Sequence, residues 1–208
     1  MVAGCAGGLP ETAAVALLPA NTRVTEPVTA ALQDRFVATI RARLRDYPSD
    51  VAPPERRAHH DPEGGHALSV HALLGQGCAT CGGACCTRGG THAFLSAAAL
   101  RGTAAEHTQG DTGTPLETLY TRYLPATHYA GSCVFHGERG CTLPRALRSD
   151  TCNRYLCGEL TALSRALTGA PGERAVVGAA TWSSLERVAV IDASGVRDIP
   201  LPDAAARP

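Results

Sequence analysis

The sequence predicts an α+β, predominantly helical protein: a small metal-centred domain with a short hairpin among the metal ligands and a C-terminal β-hairpin. Three observations carry this expectation. Val28, Leu32, Phe36, Ile40 and Leu44 recur every four positions, the stripe of an amphipathic helix. Eight cysteines fall in two groups between residues 78 and 157. Two β-branched runs, "RAVVGAATW" (174–182) and "LERVAVIDASG" (185–195), lie near the C-terminus between turn residues, as paired strands do.

Taken in order, residues 1–27 are rich in Ala, Gly, Thr and Pro and read as a loose lead-in. Residues 28–75 read as a helical segment and loop, 76–169 as a cysteine-rich metal-binding domain, and 170–208 as C-terminal strands and tail. The first helix spans 28–48 and Pro48 stops it. "HHDPEGGH" gathers His59, His60, Asp61 and His66, but Pro62 and two glycines favour a solvated loop over a rigid ligand set. "ALSVHALLG" (67–75) is a short apolar element that contains His71, expected to be partly buried. "THAFLSAAALRGTAAEH" (91–107) has helical composition with Thr91 as a cap. "PLETLYTRYLPATHYA" (115–130) opens with proline at a first helical position. "CVFHGERGC" (133–141) reads as a hairpin, and 150–169 as one helix capped by Asp150 or Thr151 and stopped by Gly169. The final "IPLPDAAARP" reads as frayed.

Composition excludes several functions. Acidic and basic residues balance at 19 each, so no basic stripe exists to capture nucleic acid by counterion release. All the basic residues are arginine, and without lysine neither Schiff-base chemistry nor a P-loop is open to the chain. This arginine usage, beside abundant Ala and Gly, fits GC-rich coding and a bacterial source. "AAVALLPA" is far shorter than the roughly 20 apolar residues of a spanning helix, so no membrane partner is expected. "VAGC", ending at Cys5, is lipobox-like but follows no charged and apolar leader, and the chain reads as cytoplasmic. No G-x-S-x-G elbow is present.

The cysteines carry the chemistry. Cys78, Cys81, Cys85 and Cys86 are spaced C-x2-C-x3-C-C; Cys133, Cys141, Cys152 and Cys157 follow as C-x7-C-x10-C-x4-C. Four and four would fill two four-coordinate thiolate sites, or one multi-iron cluster and a further metal. A C-x2-C pair in a tight turn points both sulfurs inward, and the glycines after it let backbone amides approach. Adjacent Cys85 and Cys86 strain to bind one ion, so they are expected to ligate different ions or different irons. Cys152 and Cys157 cannot share a helix face, which puts one of them at or before a helix start. Arg88, Arg139, Arg145, Arg148 and Arg154 lie close in sequence to the cysteines and are candidates to offset thiolate charge. His92, His107 and His128 have no assigned role. His136, inside the hairpin, could serve as a spare ligand or proton carrier, although a solvated turn histidine is the plainer reading. Structural disulfides would need an oxidising compartment; thioredoxin-type redox would need C-x2-C at a helix start in a βαβ unit.

The order C-x2-C-x3-C-C, then "CVFHGERGCTL", then "PRALRSDTCNRYLC" resembles the eight-cysteine zinc- or iron-chelating domain family over residues 76–160. The resemblance implies Cys78, Cys81, Cys85, Cys86, Cys133, Cys141, Cys152 and Cys157 as ligands of zinc or iron, possible cofactors including an iron–sulfur cluster. It implies metal ions as partners and names no reaction. One departure is local: the family often carries Arg-Pro before the third downstream cysteine, whereas Pro144 here lies farther upstream. A distant similarity to flagellin lysine N-methylase makes an iron–sulfur enzyme the alternative. Against it, C-x2-C-x3-C reverses the usual radical S-adenosylmethionine order, and no strand–G-x-G-x-x-G–helix unit is present.

Overall fold

The structure, a computed structural model, describes residues 13–46, 48, 70–107, 115–138, 140–169 and 174–202. Its elements begin with strand β1 (Ala14–Pro19), strand β2 (Thr25–Pro27), helix α1 (Ala30–Arg45) and helix α2 (Val70–Cys81). A 3-10 helix (Ala84–Gly89), α3 (Ala97–His107), α4 (Leu116–Thr121), β3 (Thr127–Tyr129), β4 (His136–Gly137) and β5 (Gly140–Cys141) follow. The chain then forms a second 3-10 helix (Arg145–Leu147), α5 (Asp150–Arg154), α6 (Gly158–Gly169), β6 (Ala175–Ala180), β7 (Leu185–Asp192) and β8 (Gly195–Ile199). The fold thus mixes α and β. The chain divides into two compact units, the first made of residues 1–20, 64–81 and 156–208, the second of 21–63 and 82–155.

The first unit is built on a mixed sheet of order β1-β6-β7-β8. β1 runs parallel to β6, pairing Ala14 with Ala175 through Pro19 with Ala180; the other two pairings are antiparallel. The expected C-terminal hairpin forms as the antiparallel β6–β7 pair, and the sheet extends it with β8 and with residues 14–19, whose composition suggests a loose segment. Ala16 and Leu18 alternate inward on β1 while Val15 and Leu17 stay exposed, the period of a half-buried strand. Ala175, Val177, Ala179 and Ile191 join them against Leu73 and Leu74 of α2 and Leu160, Leu163 and Leu167 of α6. β8 follows the two expected strands and ends at Ile199, the first residue of the stretch expected to fray. The Arg187 guanidinium grips the Asp198 carboxylate at 2.6 and 3.0 Å across the β7–β8 pair, and Gly195, which opens β8 after the intervening turn, takes a positive φ of 122°.

The second unit packs helices on a small aromatic core. α1 starts at Thr29, whose hydroxyl accepts the Leu32 amide, and it buries Phe36 and Ile40 as the four-residue stripe requires. Phe135 meets Phe36 edge-on at 5.0 Å and 87°. Tyr120 closes the cluster, its hydroxyl donating to the Leu147 carbonyl at 3.2 Å. Three expected helices are shorter than their composition suggests. The first begins at Ala97 rather than Thr91, because Ala93 and Phe94 take positive φ; the Ser96 hydroxyl accepts the Ala99 amide. The second ends at Thr121, since residues 127–129 find a strand partner in β2. The third breaks at residues 155–157 into α5, capped by Ser149 instead of Asp150 or Thr151, and α6.

Candidate metal centre

Three of the eight cysteines belong to the first unit. Cys78 and Cys81 occupy the last turn of α2, not a tight turn, and their i, i+3 spacing places both on one helix face. The Cys81 thiol donates to the Cys78 carbonyl at 3.2 Å. Cys157 immediately precedes α6, where its carbonyl accepts the Thr161 amide at 2.9 Å. Burial, the Glu159 carboxylate bonded to it and the charge of Cys81 all push the Cys157 thiol upward. All three pack on the Leu160–Leu163 cluster. The four-and-four grouping along the chain therefore becomes three and five by unit.

The other five lie in the second unit. Gly82 and Gly83 form a left-handed turn at φ 65° and 68°, and the 3-10 helix bearing Cys85 and Cys86 follows. Three side chains fasten this turn. Asn21 Nδ2 and His136 Nε2 both reach the Gly82 carbonyl, at 3.0 and 2.9 Å, and Arg23 Nη2 donates to the Ala84 carbonyl at 3.2 Å. Pairing of β2 with β3 anchors the segment that carries Asn21 and Arg23. The Cys133 amide donates to the Cys86 carbonyl at 3.2 Å, so these two residues adjoin. A Cβ on Gly89 would stand 2.6 Å from Cys133 Cβ and 3.0 Å from its sulfur, which explains a glycine there. Cys141 lies on β5 opposite His136, not opposite Cys133 as the hairpin spacing suggests. Its carbonyl accepts from Arg148 Nη2 at 3.2 Å. Cys152 sits in α5, its amide capped by the Ser149 hydroxyl at 3.1 Å.

Electrostatics ties these five together. Cys86 donates its thiol hydrogen to Cys85, holding the Cys85 thiol down to about 6 against its burial, with help from Arg23. The same bond, burial and the charges of Cys85, Cys133 and Cys141 push Cys86 far upward. The adjacent pair therefore loses one proton readily and holds the second. Burial, opposed by a backbone bond and aided by Cys141 and Cys152, pushes Cys133 up to about 12. Burial also raises Cys152, with Cys141 and Cys85 adding to it while Ser149 and Arg148 oppose. Cys86, Cys133 and Cys152 each feel at least one other thiol of the group as a like charge. Among the described residues, no three His, Cys, Asp or Glu side chains are gathered tightly enough to close around one ion. The donor chemistry nevertheless suits a thiophilic cation, because a positive ion converts this mutual repulsion into ligation.

His136 is neither solvated nor spare. It is 1% exposed, with Nδ1 2.8 Å from the Ser132 hydroxyl and Nε2 on the Gly82 carbonyl. A carbonyl only accepts, so the network assigns the proton to Nε2 and leaves Nδ1 accepting from Ser132. Burial pushes this imidazole below the ordinary histidine value of 6.5, against the Gly82 bond. The unfolded chain therefore takes a proton near 6.5 while the folded one does not. Stability is thus complete above 6.5 and falls as pH drops toward the lower folded value, by up to about 1.4 kcal/mol per pH unit. Urea unfolding at pH 6.5 and 5 should show a steeper loss in the wild type than in His136→Gln. His92, also lowered by burial, and Cys85 are common to both proteins and drop out of the difference. His128 is buried in β3, its Nε2 3.3 Å from Glu26 Oε1 but not aligned for a hydrogen bond. Cys5, His59, His60, Asp61, His66, Arg139 and the His71 side chain lie outside the described residues.

Sequence reading misses Asn21, Arg23 and Ser132, because each acts on a cysteine segment or histidine through a bond that no motif announces. Among the described residues, no helix is long and apolar enough to cross a membrane. No known family's model matches the chain, and neither curated proteins nor solved structures offer a match.

Proposed function

We propose that this chain is a metal-binding protein, of the zinc- or iron-chelating kind its cysteine order resembles. Its candidate ligands are Cys85, Cys86, Cys133, Cys141 and Cys152 in the second unit, and Cys78, Cys81 and Cys157 in the first. The observation that carries this reading is the crowding of the second-unit thiols: Cys86, Cys133 and Cys152 are raised partly by the charge of their neighbours, and Cys85 is lowered by the bond from Cys86. Crowding of this kind is unfavourable for thiolates alone and favourable once a soft or borderline cation neutralises them, which points to zinc or iron rather than magnesium or calcium. Bound metal would stabilise the helix-rich second unit by tying the turn after Gly82 to the segments at Cys133, Cys141 and Cys152. Reduced thiols in this number suit a reducing compartment, and we place the protein in the cytoplasm.

The test is anaerobic purification followed by metal analysis and a visible spectrum. Stoichiometric zinc in a colourless protein supports a thiolate zinc site. Iron with acid-labile sulfide and charge-transfer bands supports a cluster. A protein that holds neither metal, and takes up neither when supplied, overturns the reading.

A further inference from the structure

Two guanidinium groups stand beside the thiols of the second unit, each held by backbone carbonyls of cysteine-bearing segments. Arg23 donates through Nη2 to the Ala84 carbonyl, one residue before Cys85, and through Nη1 to Asn21 Oδ1 at 2.9 Å. Arg148 donates through Nε to the Leu143 carbonyl at 2.8 Å and through Nη2 to the Cys141 carbonyl at 3.2 Å. Both are half-buried. Among the described residues neither pairs with a carboxylate, in contrast to Arg41, Arg174 and Arg187. A fixed, partly desolvated positive charge without an acidic partner has its field free for whatever negative charge lies nearest.

We infer that Arg23 and Arg148 are the counter-charges of the thiol centre: positioning residues that fix its segments by their carbonyls and offset the negative charge its thiolates acquire on taking a metal. The inference rests on the metal-binding reading. Four thiolates around one divalent ion would carry a formal charge of about −2, and two guanidiniums bring it to about zero. Arg148 lies four residues before Cys152 in the chain, whereas Arg23 is remote from every cysteine but Cys5 and reaches the centre only through the fold.

Cobalt(II) is the probe, because its thiolate charge-transfer absorption reports binding directly. The full chain is titrated as wild type, Arg23→Gln, Arg23→Lys and Arg148→Gln, at low and moderate salt. Either Gln variant should bind cobalt about tenfold or more weakly, and Arg23→Lys should recover most of that loss by restoring charge without the paired hydrogen bonds. A purely structural arginine would leave Lys as weak as Gln, and that result overturns the inference. So does unchanged cobalt affinity in both Gln variants while the wild type binds. If the wild type itself binds no cobalt, zinc or iron, the metal reading falls and the inference with it. Should Arg23→Gln fail to fold, Arg148→Gln with its own Lys counterpart carries the same comparison.

Discussion

Gly83→Ala should destabilise the second unit by about 3 kcal/mol or more, well beyond the effect of the same change at Gly82. Both glycines lie in the left-handed region, at φ 68° and 65°, so each substitution carries a backbone penalty of about 1–2 kcal/mol. They differ in what a methyl group would meet. At Gly82 the nearest atom is Asn21 Cβ at 3.2 Å, which can yield by a few tenths of an ångström. At Gly83 the new carbon would stand 2.5 Å from His136 Nε2 and 3.0 Å from its Cε1. That ring has nowhere to go, because Ser132 holds one side, the Gly82 carbonyl holds the other, and it is buried. Displacing it leaves buried polar atoms unpaired, at about 1–3 kcal/mol each. Urea unfolding of the two variants decides the matter. Equal losses would mean that backbone strain alone governs the turn and that the histidine lock contributes little.

The fold is legible in the sequence where its cause is local. The stripe of Phe36 and Ile40 appears as the buried face of α1, and the hairpin between Cys133 and Cys141 forms. Cys157 does stand just before a helix, as its spacing from Cys152 requires. What escapes has a distant cause. β1 is alanine- and leucine-rich, weak in strand propensity, and becomes a strand because β6 offers it a parallel edge from the far end of the chain. β8 sets the adjacent charges of Arg197 and Asp198 between Val196 and Ile199, so it shows no alternation, and its pairing with β7 makes it a strand. The candidate site follows the same rule. Cysteines announce themselves by residue type, whereas Asn21, Arg23 and Ser132 are ordinary residues whose roles depend on which carbonyl or ring the fold sets before them. The grouping of the cysteines is hidden for a related reason: the chain passes between its two units after Cys81 and again before Cys157, and nothing in the spacing marks either crossing.

Phe135→Ala should cost about 3–5 kcal/mol, the range for truncating a fully buried aromatic side chain. Phe135 is 0% exposed and meets both Phe36, at 5.0 Å, and Tyr120, at 6.5 Å. Its backbone is fixed as firmly as its ring, since its carbonyl accepts the Thr142 amide at 2.9 Å and the Thr142 hydroxyl at 3.1 Å. Two residues upstream, Cys133 adjoins Cys86 through its amide; one residue downstream, His136 secures the turn at Gly82. The ring is therefore the anchor by which the aromatic core sets the depth of a segment carrying one thiol and one lock. Phe36→Ala supplies the comparison, because it opens the same core from α1 without touching that segment. Under conditions where both variants remain folded, a thiol-reactive disulfide reagent should label Cys133 faster in Phe135→Ala than in Phe36→Ala of matched stability. Equal rates would locate the control of Cys133 in the stability of the core as a whole. Faster labelling in Phe135→Ala alone would locate it in the 133–136 segment, where packing and the candidate metal chemistry meet in consecutive residues.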